Sequence, residues 1–141
     1  MRGVTLAEIV VVLLIIGVLA SVVTPPLLHS LDRLAVDEAA ERYITTHEDA
    51  RMEAMARGRL TRVDLDSARR QAVVLLRRSI AAWDTLAISP LGRARMTASQ
   101  TSIVFSPIGM GFGASNARIV FSSDAAAETV TVSRTGRVRR S

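Results

Sequence analysis

An almost unbroken apolar run from Ile9 to Val23, closed by Pro25 and Pro26, leaves this chain few ways to fold. With its flanks the run approaches the roughly 20 residues that a helix needs to cross about 30 Å of hydrocarbon. One acid, Glu8, stands at its threshold. An ionised carboxylate at membrane depth costs on the order of 2.5–3.5 kcal/mol on insertion scales, so Glu8 requires a partner. The prediction is a helix embedded in the lipid bilayer, with all later residues on the outer side. Arg2 marks the cytoplasmic side by the positive-inside tendency. A cleaved secretory signal does not fit, because the candidate processing position, Gly3, precedes the apolar core instead of following it.

Gly3, Val4, Thr5, Leu6, Ala7 and Glu8, directly ahead of the run, resemble the class III signal of type IV pilins and of the pseudopilins of type II secretion systems. That resemblance implies that prepilin peptidase removes residues 1–3 and methylates the new terminus at Val4. It also implies that Thr5 and Glu8 serve subunit assembly, with the Glu8 carboxylate meeting the terminal amine of a neighbouring subunit. Two positions depart from the usual pattern: Val4 replaces phenylalanine, and Ala7 replaces a bulkier residue.

Gly17 and Ser21 lie four apart with Ala20 between them, a spacing that lets helices approach closely in lipid, or one that arises by chance among small residues. Residues 4–28 are the expected transmembrane helix. Pro25 and Pro26 remove two donors and crowd the preceding turn, so a kink or local unwinding is expected there. Beyond them Leu27, Leu28, Leu31, Leu34, Ala35, Ala39, Tyr43, Ile44, Ala50 and Ala54 recur at three- and four-residue steps, with acids mostly elsewhere. Residues 29–57 are therefore an amphipathic continuation, ended by Arg57 and Gly58. From Val4 to Arg57 such a helix measures roughly 80 Å. His29 and His47 stand 18 residues apart with no cysteine in the chain, so they are expected on the surface and not as metal ligands.

Charge is informative by position. Residues 4–56 hold eight acids and three arginines, a balance of −5, whereas residues 57–141 hold fourteen arginines and five acids, a balance of +9. The stem is acidic and the head basic. Every one of the 18 basic residues is arginine, which reflects either an arginine-favouring genome or a need for bidentate contacts to phosphate and carboxylate. The absence of cysteine excludes disulfides and thiol chemistry.

Residues 58–141 can make one small head. Leu60 to Asp66 alternates as a half-buried strand does. Residues 67–83 read either as a helix capped by Ser67 or as a strand through Ala72 to Leu76, and Thr85 to Ser89 as a short strand. Residues 92–102 show no period and are expected to be loop. Strands follow at Ser102 to Ser106, Ala117 to Ser122 and Thr129 to Ser133, with a turn at Arg134 to Arg137 and a basic end. The glycines of residues 109–113 lack the lysine and the following helix of a phosphate loop. The fold class is α+β: a long N-terminal helix packed on a small C-terminal antiparallel β domain.

Ile103 to Gly111, then Ala117 to Ser122, then Thr129 to Arg140, resemble the soluble domain of the GspH/FimT subgroup of minor pseudopilins and minor pilins. The resemblance implies a minor pseudopilin in the inner membrane, with a periplasmic head, joining a periplasmic pseudopilus near its tip. Its implied partners are major and minor pseudopilins, prepilin peptidase and the inner-membrane secretion platform. No cofactor is implied, and no serine, histidine and acid fall at a spacing that assembles an enzyme site. A second reading stays open: Arg134, Arg137, Arg139 and Arg140 are similar to the basic pattern of FimT-like minor pilins that capture DNA, and arginines neutralising phosphates bind without reading sequence.

Overall fold

A computed structural model describes residues 5–113 and 115–141, and of residues 22–25 the backbone only. Helix α1 (Leu6–Arg57) precedes eight strands: β1 (Thr61–Asp66), β2 (Gln71–Arg77), β3 (Trp83–Pro90), β4 (Arg95–Ala98), β5 (Ser102–Phe105), β6 (Ala117–Ser122), β7 (Ala127–Val132) and β8 (Val138–Arg140). By internal contacts the chain divides into two compact units, the first ending at Leu31 and the second running from Asp32 to Ser141.

In the first unit the described side chains of residues 5–21 are all exposed. This stretch belongs to a helix long and apolar enough to cross a membrane. The helix assignment continues through Pro25 and Pro26, so the chain does not unwind there. Hydroxyls bond back onto the helix on either side: Ser21 Oγ donates to the Val18 carbonyl at 2.7 Å and Ser30 Oγ to the Pro26 carbonyl at 3.0 Å. Such back-bonding is a mild bending influence that leaves the helix intact.

The second unit is built by alternation. Thr61, Val63 and Leu65 of β1, Ala72, Val74 and Leu76 of β2, and Ala117, Ile119 and Phe121 of β6 point inward, with half-buried or exposed residues between them. Every strand pairing is antiparallel, in two four-stranded sheets of order β3-β2-β1-β5 and β4-β6-β7-β8. One apolar core joins α1 to both sheets. Ala39, Ala40, Ala50 and Ala54 let the strands come close to the helix, and Val36 and Tyr43 fill the remaining space. Burying a side chain of valine or phenylalanine size stabilises by about 1.5–3 kcal/mol.

Four readings of the sequence change here. Of the stretch 67–83, left open between helix and strand, residues 71–77 are strand β2, because Ala72, Val74 and Leu76 bury one face at period two and the chain turns just before them, where the Asp66 carboxylate accepts from Arg69 N at 2.9 Å. Residues 92–102 are not all loop: β4 buries Met96 and pairs with β6, a strand too short to show a period of its own. The basic end is strand β8, paired to β7. His47 is not on the surface but fully buried, because Val36, Ala40, Tyr43, His47 and Ala54 form the inward face, while Leu27, Leu28 and Leu34 are exposed. His29 is exposed as expected.

Candidate assembly interface

The helix start is capped by its own sequence. Thr5 Oγ1 accepts from Glu8 N at 3.3 Å, and the Thr5 carbonyl accepts from Glu8 N at 3.1 Å and Ile9 N at 3.3 Å. Threonine at the cap with glutamate three residues on is the capping-box pattern, and an acid in the first turn also suits the helix dipole. Glu8 is exposed, as is the apolar stretch that follows it. Thr5 and Glu8 thus stand within one turn of each other. Gly3 and Val4 lie outside the described residues.

In the head unit, two turns close on α1 at one place. The β7–β8 turn carries Gly136 at φ +75°, and the β5–β6 connection carries Gly109 at φ +75°. A Cβ on Gly136 would stand 2.8 Å from the Gly109 carbonyl oxygen, and one on Gly109 would stand 2.7 Å from Met55 Sδ. Arg51 Nε donates to the Gly109 carbonyl at 2.8 Å. His47 Nε2 donates to the Gly136 carbonyl at 3.2 Å, and Tyr43 donates its hydroxyl proton to His47 Nδ1 at 3.3 Å. This pattern requires the neutral ring with its proton on Nε2. The ring also meets Phe105 edge-on at 4.7 Å between centroids.

Electrostatics agree with that neutral state. Burial lowers the His47 pKa from 6.5 to about 4, opposed by the Gly136 hydrogen bond and assisted by the Arg51 charge. Burial also pushes the Tyr43 hydroxyl well above its usual range, so it remains a donor. The glycine-rich segment is therefore a docking turn on the helix. Sequence reading missed the junction, although Tyr43, His47, Ala50 and Ala54 at steps of four, three and four carry its signal.

The four C-terminal arginines do not act alike. Arg140 reaches the stem and its own sheet: its guanidinium donates to Asp37 Oδ1 and Glu128 Oε2, both at 2.7 Å, and lies 3.6 Å from Glu41 Oε2. Arg134, Arg137 and Arg139 are exposed, and among the described residues they form no ion pair. Elsewhere on the head, Trp83 lies 4.6 Å below the Arg62 guanidinium and 5.9 Å from that of Arg77, a cation–π pairing at the sheet edge. Among the described residues no three histidine, cysteine, aspartate or glutamate side chains are grouped to hold a metal.

The family described as type II transport protein GspH matches residues 39–136, from the buried face of α1 to the Gly136 turn. The chain belongs to the GspH family. The match contains both glycine turns and the part of the helix they close on. Solved structures of FimU and EpsH share the fold. The type IV minor pilin FimU of Pseudomonas aeruginosa strain PAO1 superposes with a TM-score of 0.63 at 17% identity, covering 77% of this chain and 90% of that one. The minor pseudopilin EpsH of the type 2 secretion system of Vibrio cholerae gives 0.62 at 12% identity, covering 75% and 95%. No curated protein sequence matches significantly. Family and fold together support a pilin-like subunit, of type II secretion or of a type IV pilus.

Proposed function

We propose that this GspH-family chain is a minor pseudopilin of a type II protein secretion system. It is cut after Gly3, methylated at Val4, held in the inner membrane by residues 4–28 with its amino terminus cytoplasmic, and drawn into a periplasmic pseudopilus near its tip. There it helps drive folded proteins across the outer membrane. It acts as a structural subunit, and its partners are the other pseudopilins, prepilin peptidase and the inner-membrane secretion platform. Pro25 and Pro26 serve as the point where the rod bends when subunits pack. The observation that carries the reading is the capped, uncovered apolar helix with Glu8 at its start, in a chain whose remainder matches the GspH family.

In this reading the Glu8 carboxylate neutralises the amine of an adjacent subunit, offsetting the cost of holding a charge near lipid. Mass spectrometry of the membrane-extracted protein is expected to give a chain beginning at methylated Val4, and an intact Met1 refutes the proposal. The variant Glu8→Gln retains a side chain able to complete the cap but loses the charge. It is expected to insert normally and to enter fibres about tenfold less, the change that ~1.4 kcal/mol produces. Thr5→Ala removes the cap at ~1 kcal/mol of helix stability while keeping the charge, and a larger loss of incorporation for Thr5→Ala than for Glu8→Gln makes Glu8 only a capping residue.

A second reading, a FimT-like minor pilin that binds DNA, draws on Arg134, Arg137 and Arg139, exposed and without an ion pair among the described residues. It predicts that Arg137→Ala combined with Arg139→Ala weakens duplex binding at low salt and flattens its salt dependence. The absence of duplex binding by the unaltered chain refutes this reading.

A further inference from the structure

Ile108, Met110 and Phe112 stand at every second position of the β5–β6 connection, alternating with Gly109, Gly111 and Gly113. The large side chains face solvent, 73%, 44% and 57% exposed, while Gly109 is buried and Gly111 half-buried. The two inner glycines explain the alternation. Met55 closes the space beside Gly109, and a Cβ on Gly111 would collide with Ser115 Oγ. With the backbone pressed onto the head, its bulk points outward. Hydrogen bonds fix that attitude: Gly109 N donates to the Ser106 carbonyl at 2.8 Å, Gly111 N to the Arg134 carbonyl at 3.2 Å, and Phe112 N to the Val104 carbonyl at 2.8 Å. The Met110 carbonyl accepts from Ser106 N at 2.8 Å. This backbone is paired within the chain, so what it offers a partner is an apolar surface and not a strand edge.

The margin of this row is basic. Met55 of α1, also exposed, extends the apolar surface on one side. Arg134 and Arg137 flank it in the β7–β8 turn that Gly109 and Gly111 touch, and both are exposed without an ion pair among the described residues. The sequence holds no acid between Asp84 and Asp124, and none after Glu128. Apolar side chains flanked by arginines suit the headgroup region of an anionic bilayer. Aliphatic, thioether and phenyl groups enter the acyl boundary there, and guanidiniums bind lipid phosphates.

We propose that Ile108, Met110 and Phe112 dock the head on anionic phospholipid of the membrane that anchors the chain, with Arg134 and Arg137 on lipid phosphates. The inference rests on the reading of residues 4–28 as a membrane anchor and goes beyond it, because this second contact belongs to the head. Anchoring selects the occupant. Three side chains and two arginines bind a membrane weakly from solution, but an anchored chain meets its own bilayer at an effective concentration on the order of millimolar. A protein partner at low concentration has no such advantage. The bend proposed at Pro25 and Pro26 gives the head that reach. The docked head is a resting form of the unassembled subunit, and entry into a fibre lifts the row off the lipid.

Trp83 is the single tryptophan, so a probe can be moved to the row. Full-length Phe112→Trp, made in a Trp83→Phe background, is reconstituted in phosphatidylcholine–phosphatidylglycerol vesicles with and without brominated acyl chains, which quench a tryptophan they touch. Emission from position 112 is expected to be quenched. Trp83 of the unaltered chain is expected to escape, because β3 lies three strand spacings, ~14 Å, from β5 across the sheet. Ile108→Ser with Met110→Ser removes the quenching, and so does Arg134→Glu with Arg137→Glu, which leaves the apolar row intact. The two pairs lie on different segments, and an unchanged melting temperature verifies that each leaves the head folded. Equal quenching of Trp83, or quenching at position 112 that survives both pairs, overturns the proposal. So does a blue-shifted but unquenched position 112, or quenching that fades as the chain is diluted in lipid, since either puts a second copy of the chain on the row. A chain that alkaline carbonate strips from the vesicles refutes the anchor itself. One that stays with the vesicles, unquenched at position 112, refutes only the docking.

Discussion

Gly136→Ala is expected to destabilise the head by ~3 kcal/mol, lowering the melting temperature of the full-length chain in detergent by on the order of 10 °C. Two costs combine. The residue sits at φ +75°, where an L side chain costs roughly 1–2 kcal/mol. In addition the new Cβ meets the Gly109 carbonyl oxygen at 2.8 Å, and that oxygen is held in place by Arg51 Nε. Backbone must move, and the Gly136 carbonyl that moves with it is the acceptor for His47. Gly58→Ala separates the two costs, because Gly58 has φ +60° with nothing within 4 Å of the added atom. It is expected to cost only ~1 kcal/mol. Melting followed by the single tryptophan, Trp83, measures both, and equal shifts for the two variants mean that the close approach of the turns contributes nothing.

That junction also explains what the sequence carried and what it hid. The apolar run and the strands β1, β5 and β6 were legible because each is a local pattern of hydropathy or period two. The face of α1 that the head covers was harder to place. The expected stripe held Ala39, Tyr43, Ala50 and Ala54, which are buried, together with Leu27, Leu28, Leu31 and Leu34, which are exposed, and it left out Val36, Ala40 and His47, which complete the buried side. Helix periodicity identifies an amphipathic rod but cannot decide between an apolar face for other helices or lipid and one for the rod's own head. β4 and β8 escaped for another reason. With four and three residues, they owe their extended form to pairing with β6 and β7. For the N-terminal site, Thr5 and Glu8 lie together as their spacing required, because both belong to one helical turn. The C-terminal arginines divided in a way no linear pattern encodes: Arg140 is drawn to Asp37, 103 residues earlier, and Arg134, Arg137 and Arg139 form no ion pair among the described residues.

Acid is expected to loosen the head through His47, with the loss concentrated between about pH 6.5 and pH 4. In the folded chain burial holds the ring's pKa at about 4, against 6.5 for a free histidine. Above pH 6.5 the ring is neutral in both states and folding is indifferent to it. As pH falls below 6.5 the unfolded chain takes up a proton that the folded one refuses, so stability declines until both forms are protonated below pH 4. At about 1.4 kcal/mol per pH unit the full loss is ~3 kcal/mol. The groups around the ring reinforce the direction. Arg51, one turn further along α1, opposes a second positive charge. A protonated Nδ1 can no longer accept from Tyr43, so the hydroxyl has to turn and accept from the ring, leaving its own proton without that buried acceptor. His47→Gln retains an amide able to donate to Gly136 and has no proton to gain. Subtracting its stability curve from that of the unaltered chain cancels the surface ion pairs common to both. The difference is expected to be flat above pH 7 and to fall by ~3 kcal/mol on reaching pH 4. Parallel curves over that window mean that His47 takes up its proton in the folded head as readily as in the unfolded chain.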